Sequence, residues 1–305
     1  MLVFISRRIA LAILVGLAVS LLAYLLLFLS GDPAIALAGD SAREADIERI
    51  RIQYGLDRPI LVQYGDWLWN LLHGNFGNSV YFKTPVAPLI LDKLFTTLIL
   101  GVCSLAVALA ISVPLGVLAA IYRHSWIDRA CLAVAVLGQA LPNFFFALLL
   151  IMLLSVTWQI LPVSGSDSWE NFIMPSIALG YYVAPAFMRL IRAGMIEVLG
   201  ADYVRTARAK GLPASTVVFK HALRNAIVPV VALAAVQLGF LLGGSVIIET
   251  IFALDGLGYL AYQSITYKDY PVMQVIVLVL SAIYVLLTLA ADIANAWLDP
   301  RLRVG

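Results

Sequence analysis

The sequence predicts an all-α polytopic membrane protein with six transmembrane helices, and three observations carry that prediction. Of 305 residues, 62% are hydrophobic and 12% charged, against about 45–50% apolar and about 25% charged in an ordinary soluble domain. Mean hydropathy is +0.96. The apolar residues fall into long runs, each near the roughly 20 residues that cross a hydrocarbon core of about 30 Å, and the charges gather between them. A formal net charge of +2 creates no global field toward nucleic acid.

Arg7 and Arg8 precede the first run, residues 9–29. It exceeds the about 7–15 apolar residues of a cleavable signal and reads as a retained first helix. Residues 30–33 (SGDP) form a turn cluster, and a mostly non-spanning stretch follows. Within it, Ser41 and Glu44 make a capping-box pattern opening a polar helix that Gly55 can end. Ile60, Tyr64, Trp67, Leu68, Leu71 and Leu72 then recur at helical spacing, with Gly74 as a stop. This amphipathic helix suits either a membrane interface or packing on its own protein. Five further apolar runs follow, at 94–121, 130–156, 172–188, 226–248 and 272–297. The second has Pro142 and Asn143 in its middle, and the third is expected to continue past the membrane through Arg189 and Arg192. The expected division is 1–93, a transmembrane helix plus an extracytoplasmic segment, and 94–305, a five-helix core interrupted by a cytoplasmic segment at 196–229.

Orientation follows from Lys and Arg in the connections. Arg7 and Arg8, Arg123 and Arg129, the group Arg189, Arg192, Arg205, Arg208, Lys210, Lys220 and Arg224, and Arg301 and Arg303 all fall on one side. Opposite them, residues 157–171 hold no Lys or Arg and 250–271 only Lys268. Both termini and the basic segment are therefore expected in the cytoplasm, with the long N-terminal connection outside.

Chemistry is narrowed by what the spans carry. No G-x-x-x-x-G-K-[ST] phosphate loop occurs, so no ATP hydrolysis is expected from this chain. His73, His124 and His221 are scattered, and no H-E-x-x-H zinc motif is present. Cys103 and Cys131 both lie in apolar runs and read as small packed residues. A secondary transporter would keep ionisable groups within the bilayer despite a cost of about 2.5–3.5 kcal/mol each. Here only Glu249 and Asp292 come near, both read as sitting at helix ends. Gln139, Asn143 and Gln237 are uncharged; they can line a translocation path or bridge helices. Energy must then enter from another protein, through the basic segment.

That segment reads as two helices. Residues 201–210 form the first, with Arg205 and Arg208 on one side; Gly211 can take the left-handed conformation that ends it. After Leu212, Pro213 suits the start of a second helix. There Val217, Val218 and Phe219 stand beside Lys220 as an expected exposed apolar knob among basic residues.

Residues 202–211 (DYVRTARAKG), followed by 221–225 (HALRN), resemble the EAA loop of ABC-importer permeases in its peptide-transporter form. The resemblance extends through Gly31-Asp32-Pro33, residues 54–59 (YGLDRP), 74–77 (GNFG), 239–249, 255–258 (DGLG), 269–271 (DYP) and 298–301 (LDPR). The chain is similar to the first of two paired permeases in dipeptide, oligopeptide, glutathione and nickel importers. This implies a type I ABC-importer permease fold, a second homologous permease, two cytoplasmic ATPases holding ATP and Mg, and an extracytoplasmic solute-binding protein. It implies an ATPase-coupling role for Arg205, Ala207, Arg208, Lys210, Gly211, Leu212, Pro213, Val217, Val218, Phe219, Lys220 and His221. The general pattern's glutamate and first alanine fall here on Arg205 and Thr206, and its later proline on Arg224, departures that match the peptide branch. Small peptides are the expected solute, with nickel or another solute as the alternative; no metal site is expected in the chain itself.

Overall fold

The computed structural model describes residues 2–29, 32–38, 42–53 and 55–298, and among these it is helical without strands. Helix α1 spans Leu2–Leu29, α2 Pro33–Ala38, α3 Glu44–Gln53 and α4 Ile60–Leu72. Ser41 of the expected capping box lies outside the described residues; Gly55 follows α3 with φ +64°, the left-handed stop its side-chain-free backbone permits. One face of α4 packs on α1. Tyr24 donates to Gln63 Oε1 at 3.3 Å, and Ser20 and Tyr64 share a hydroxyl–hydroxyl bond of 2.7 Å. The Tyr24 ring meets Tyr64 and Trp67 at 5.7 and 5.4 Å. The other face exposes Leu61, Trp69 and Leu72. The helix thus packs on its own protein and keeps an apolar outer face.

Helix α5 runs over Val86–Ile121, starting earlier than hydropathy indicates, because Pro85 and the turn before it set its first residue. Helix α6 covers Trp126–Ala140 and α7 Asn143–Leu150, extended by a wide π turn at Ile151–Thr157. The single span expected at 130–156 is instead a broken one. Its limbs bend by 98° at Leu141–Pro142. Leu141 is extended (φ −90°, ψ 132°) as the residue before proline tends to be, and Pro142 has no N–H to continue the ladder.

A short turn of 3₁₀ helix at Trp169–Phe172 leads into α8, Ile173–Leu199, which carries straight through Arg189 and Arg192 as expected. Then come α9 (Asp202–Ala209), α10 (Ala214–Thr216), a π turn at Val217–Leu223 and α11 (Arg224–Ala226). Helix α12 is Val228–Gly244, α13 Val246–Ile251, α14 Leu257–Thr266 and α15 Tyr270–Leu298. The run Ala214–Ala226 meets α12 at a bend of 53°.

Within α1, α5 and α15 lie stretches long and apolar enough to cross a membrane, and each bent pair can supply one more. Helix α8, which the sequence count includes, falls outside that set. The reason is its position. Met174, Leu179, Val183, Phe187, Met188, Ile191 and Met195 are all buried, so this helix faces protein rather than lipid and tolerates Ser176, Gly180 and two arginines. It packs chiefly on α5. A Cβ at Gly180 would land on the Ser104 carbonyl oxygen and Val107, so the close approach requires glycine.

Direction can be followed through the bundle. Val86 and Ile90 of α5 share a cluster with Val272, Val275 and Ile276 of α15. Further along, Gly101 meets Leu238 and Leu242 of α12 while Tyr284 meets Gly239 of the same helix, so α5 and α15 run parallel. Helix α1 runs against α15, with Arg8 paired to Asp292 at 2.7 Å. The start of α1, the close of α15 and the far end of α5 therefore share one end of the bundle.

Candidate functional site

The basic segment emerges from the C-terminal end of α8. Asp202 stands in the first turn of α9 and Arg208 in its last, each complementing the helix dipole. The inner face of α9 presents Val204 (0% exposed) and Ala207 (7%), packed with Val217, Val198 and Leu199. The outer face leaves Arg205, Arg208 and Lys210 in solvent. Arg205 lies 3.5 Å from Asp202, an exposed pair worth little.

Gly211 closes α9 with φ +76°, its N–H donating to Arg208 O at 2.9 Å. The Leu212 N–H reaches back to Ala207 O at 3.4 Å. No atom stands within 4 Å of where a Cβ on Gly211 would be. Pro213, extended at ψ 146°, precedes the first turn of α10, and the Val217 N–H donates to its carbonyl at 3.1 Å. Asn225 ties the two halves together, donating to Tyr203 OH at 2.8 Å and to His221 O at 3.2 Å.

The expected exposed Val217–Val218–Phe219 knob needs correction. Val217 is 2% exposed and belongs to the inner cluster, Val218 is half-buried, and Phe219 alone of the three projects, at 62%. Successive helical residues are rotated by about 100°, so three in a row cannot share a face. The exposed apolar surface is instead Phe219 and Leu212, with Arg208, Lys210 and Lys220 also exposed on this segment and His221 half-buried.

Near this end a second tie fixes the bundle. Arg192 of α8 donates from Nε and Nη2 to Asp128 of α6, both at 2.7 Å, and Asp128 also accepts from the His124 N–H at 3.1 Å. Ser125 caps α6, accepting from the Asp128 N–H. Sequence reasoning treated Arg192 only as a cytoplasmic charge; the Ser125-x-x-Asp128 spacing was the available signal for its partner.

The three path candidates are not brought together by any hydrogen bond among the described residues. Gln139 is exposed on α6, with Arg189 Nη1 at 3.5 Å. Asn143 starts α7 beyond the break, and Gln237 is half-buried in α12. Glu249 stands in the first turn of α13, a helix end as expected, but its surroundings are not those of an exposed end. It is fully buried, its Oε1 accepting from Thr97 and Ser245 hydroxyls at 2.9 and 2.7 Å, its Oε2 from the Gly258 and Tyr259 N–H groups at 2.7 and 3.0 Å. Chain return through Leu254–Gly256 brings the start of α14 onto it, which no local pattern foretells. Asp292 too sits near a helix end, and it is neutralised by Arg8.

Helices long and apolar enough to cross a membrane, packed around a buried central helix, define a membrane-embedded protein, and its relatives supply the class, a permease of an ABC importer. The chain belongs to the family of binding-protein-dependent transport system inner membrane components: that family's description matches residues 112–304, and that of its N-terminal part matches residues 1–101. It is 41% identical over 286 residues to the glutathione transport system permease protein GsiC of Escherichia coli (strain K12), across 93% of this chain and 94% of that protein. The same protein of Shigella dysenteriae serotype 1 (strain Sd197) matches with equal identity and coverage. The fold is shared with a chain of the inward-facing MetNI methionine ABC transporter, at a TM-score of 0.58 and 22% identity, over 69% of this chain and 96% of that one.

Proposed function

We propose that this chain is one of two paired permeases in an ATP-driven importer of the cytoplasmic (inner) membrane, carrying small peptides of the dipeptide, oligopeptide or glutathione-like class. In this reading it crosses the membrane six times, α8 being the sixth helix, with both termini and the basic segment in the cytoplasm. Residues 1–93 supply a membrane helix and an extracytoplasmic segment, and residues 94–305 the translocating core. Two ATPase subunits bind ATP and Mg; a second, similar permease completes the path; an external binding protein delivers the solute. The glutathione substrate of the GsiC relatives supports the solute class.

One observation carries the coupling role: Leu212 and Phe219 project in solvent beside a left-handed glycine joint, while Val204, Ala207 and Val217 seal the other face of the same segment onto α8. Closure of the ATPases would push on Phe219, and the sealed face would pass the push to α8. That helix, buried among α5, α6 and α12, would shift the bundle between outward-open and inward-open states. Pumping requires the solute to bind those states with different affinity. The test is co-purification with uptake. The importer should bring down a chain with a phosphate loop and a second permease, and glutathione uptake should stop on ATP depletion. Uptake that survives ATP depletion and collapses with an uncoupler would overturn the proposal.

A further inference from the structure

A cleft of about 890 Å³ lies between the segment after α1 and the start of α15. Its floor is apolar, with Trp67, Phe76 and Val80. Its polar lining is built from amides, Gln53, Asn70, Asn75, Asn78 and Gln274, and includes one cation, Lys83, and no carboxylate. Two features show that this lining is not merely a solvated surface. Gln274 is 8% exposed and its Nε2 is buried with no hydrogen-bond partner, so an amide is built into the wall of the cleft at a desolvation cost that no bond within the described residues offsets. Lys83 is held at φ +58°, a left-handed conformation unusual for a long side chain, and it makes no ion pair among the described residues.

The wall that carries them is rigid. Asp269, fully buried, accepts from the Ser79 hydroxyl and from the Val80 and Tyr81 N–H groups at 3.2 Å each. Tyr81 stacks on Tyr267 at 3.8 Å. The cleft is therefore preformed.

We infer that this cleft is a binding site for a short peptide bearing a free carboxylate, separate from the path through the bundle. Amide side chains offer both donors and acceptors, matching the alternating C=O and N–H of a peptide backbone. Lys83 is the charge partner for the carboxylate, and the aromatic floor receives an apolar or thiol side chain. On the proposed topology the cleft opens on the outer face, so it would retain peptide at the point of delivery. The peptide class rests on the import reading given above.

The assembled importer in lipid nanodiscs, without its external binding protein, should bind glutathione saturably by calorimetry. Lys83→Asn, chosen because asparagine tolerates the left-handed region, should weaken that binding roughly tenfold or more, as expected for a lost charge-assisted bond. Asn78→Ala should weaken it several-fold while leaving the thermal midpoint unchanged, since it removes an exposed amide of the lining. A merely structural Asn78 would instead lower stability and leave binding alone. A tripeptide amide with no carboxylate should bind at least tenfold more weakly than glutathione. Absent saturable binding, binding unchanged by both substitutions, or equal binding of the amide overturns the inference. Binding-protein-dependent uptake measured on the same preparations separates the two readings. If uptake proceeds without cleft binding, the cleft fails and the importer stands; if the cleft binds but no peptide is taken up, the importer reading fails.

Discussion

Substituting Gly211 separates strain inside the chain from contact with a partner. The residue sits at φ +76°, and a Cβ added there would meet no atom within 4 Å. The steric term within the chain is therefore close to zero. What remains is the backbone cost, about 1–2 kcal/mol for alanine in the left-handed region and less for asparagine or aspartate, whose short polar side chains are accommodated there. Against a stability on the order of 5–15 kcal/mol, none of these should prevent folding or insertion. If Gly211 mattered only for backbone conformation, Gly211→Ala would be the most damaging of the three and Gly211→Asn nearly silent. If the open space around Gly211 belongs to the ATPase, Gly211→Asn and Gly211→Asp should abolish glutathione uptake and loosen the ATPase while the thermal midpoint moves little. The assay measures uptake into proteoliposomes, ATPase retained on affinity purification, and thermal unfolding on one set of preparations. Normal uptake and normal ATPase association in both Gly211→Asn and Gly211→Asp would refute the coupling assignment.

The remaining predictions concern how the segment and the bundle are held. Phe219→Ser should cost ATPase association, whereas Ala207→Leu, which overpacks the Val204–Val217 cluster by about 1–3 kcal/mol, should keep association and lower uptake per ATP hydrolysed; identical phenotypes in a hydrolysis-to-uptake comparison would contradict the division into two faces. Glu249→Gln should destabilise by about 1–3 kcal/mol in thermal unfolding: one amide orientation aims its NH₂ at the Gly258 and Tyr259 N–H groups, and the other makes the Thr97 and Ser245 hydroxyls turn from donating to accepting. Arg192→Lys should cost about 1.5–3 kcal/mol through loss of the bidentate bond to Asp128, and Asp128→Asn should add little on top of it in a double-mutant cycle.

What was legible in the sequence was whatever a single residue or a single period decides. Gly211 was, because a glycine between a helix former and a proline has few other reasons to be there. The long apolar stretches of α1, α5 and α15 were, because hydrocarbon thickness dictates their length. The 98° break at Leu141–Pro142 was not. Proline inside a membrane helix can leave the helix continuous, as Pro114 does within α5 and Pro185 within α8. The difference shows in the residue before the proline, extended at Leu141 and helical at Val113 and Ala184, a choice the dipeptide alone does not dictate. The burial of Glu249 was not legible for a related reason. Thr97 lies far earlier in the chain and Gly258 beyond an irregular turn, so the donors that make a buried carboxylate tolerable belong to the tertiary fold.

The same distinction explains why the expected knob is two residues too wide. Three consecutive apolar residues look like one patch, yet helical rotation divides them: Val217 faces inward and packs, whereas Phe219 faces outward and, in the proposed coupling role, would meet the ATPase. A coupling element needs both, since a projection without an anchor would bend under load and an anchor without a projection would receive none. Here the anchor seats on Val198 and Leu199, the last turn of α8, and α8 is the helix with the most deeply buried side chains in the bundle. A displacement at Phe219 therefore enters close-packed protein, which passes strain on because it has little free volume to absorb it. Asp128 and Arg192 brace α8 against the start of α6 near that end of the helix, so α6 would receive such a displacement through this pair, and α12, which follows the segment directly, through the chain itself.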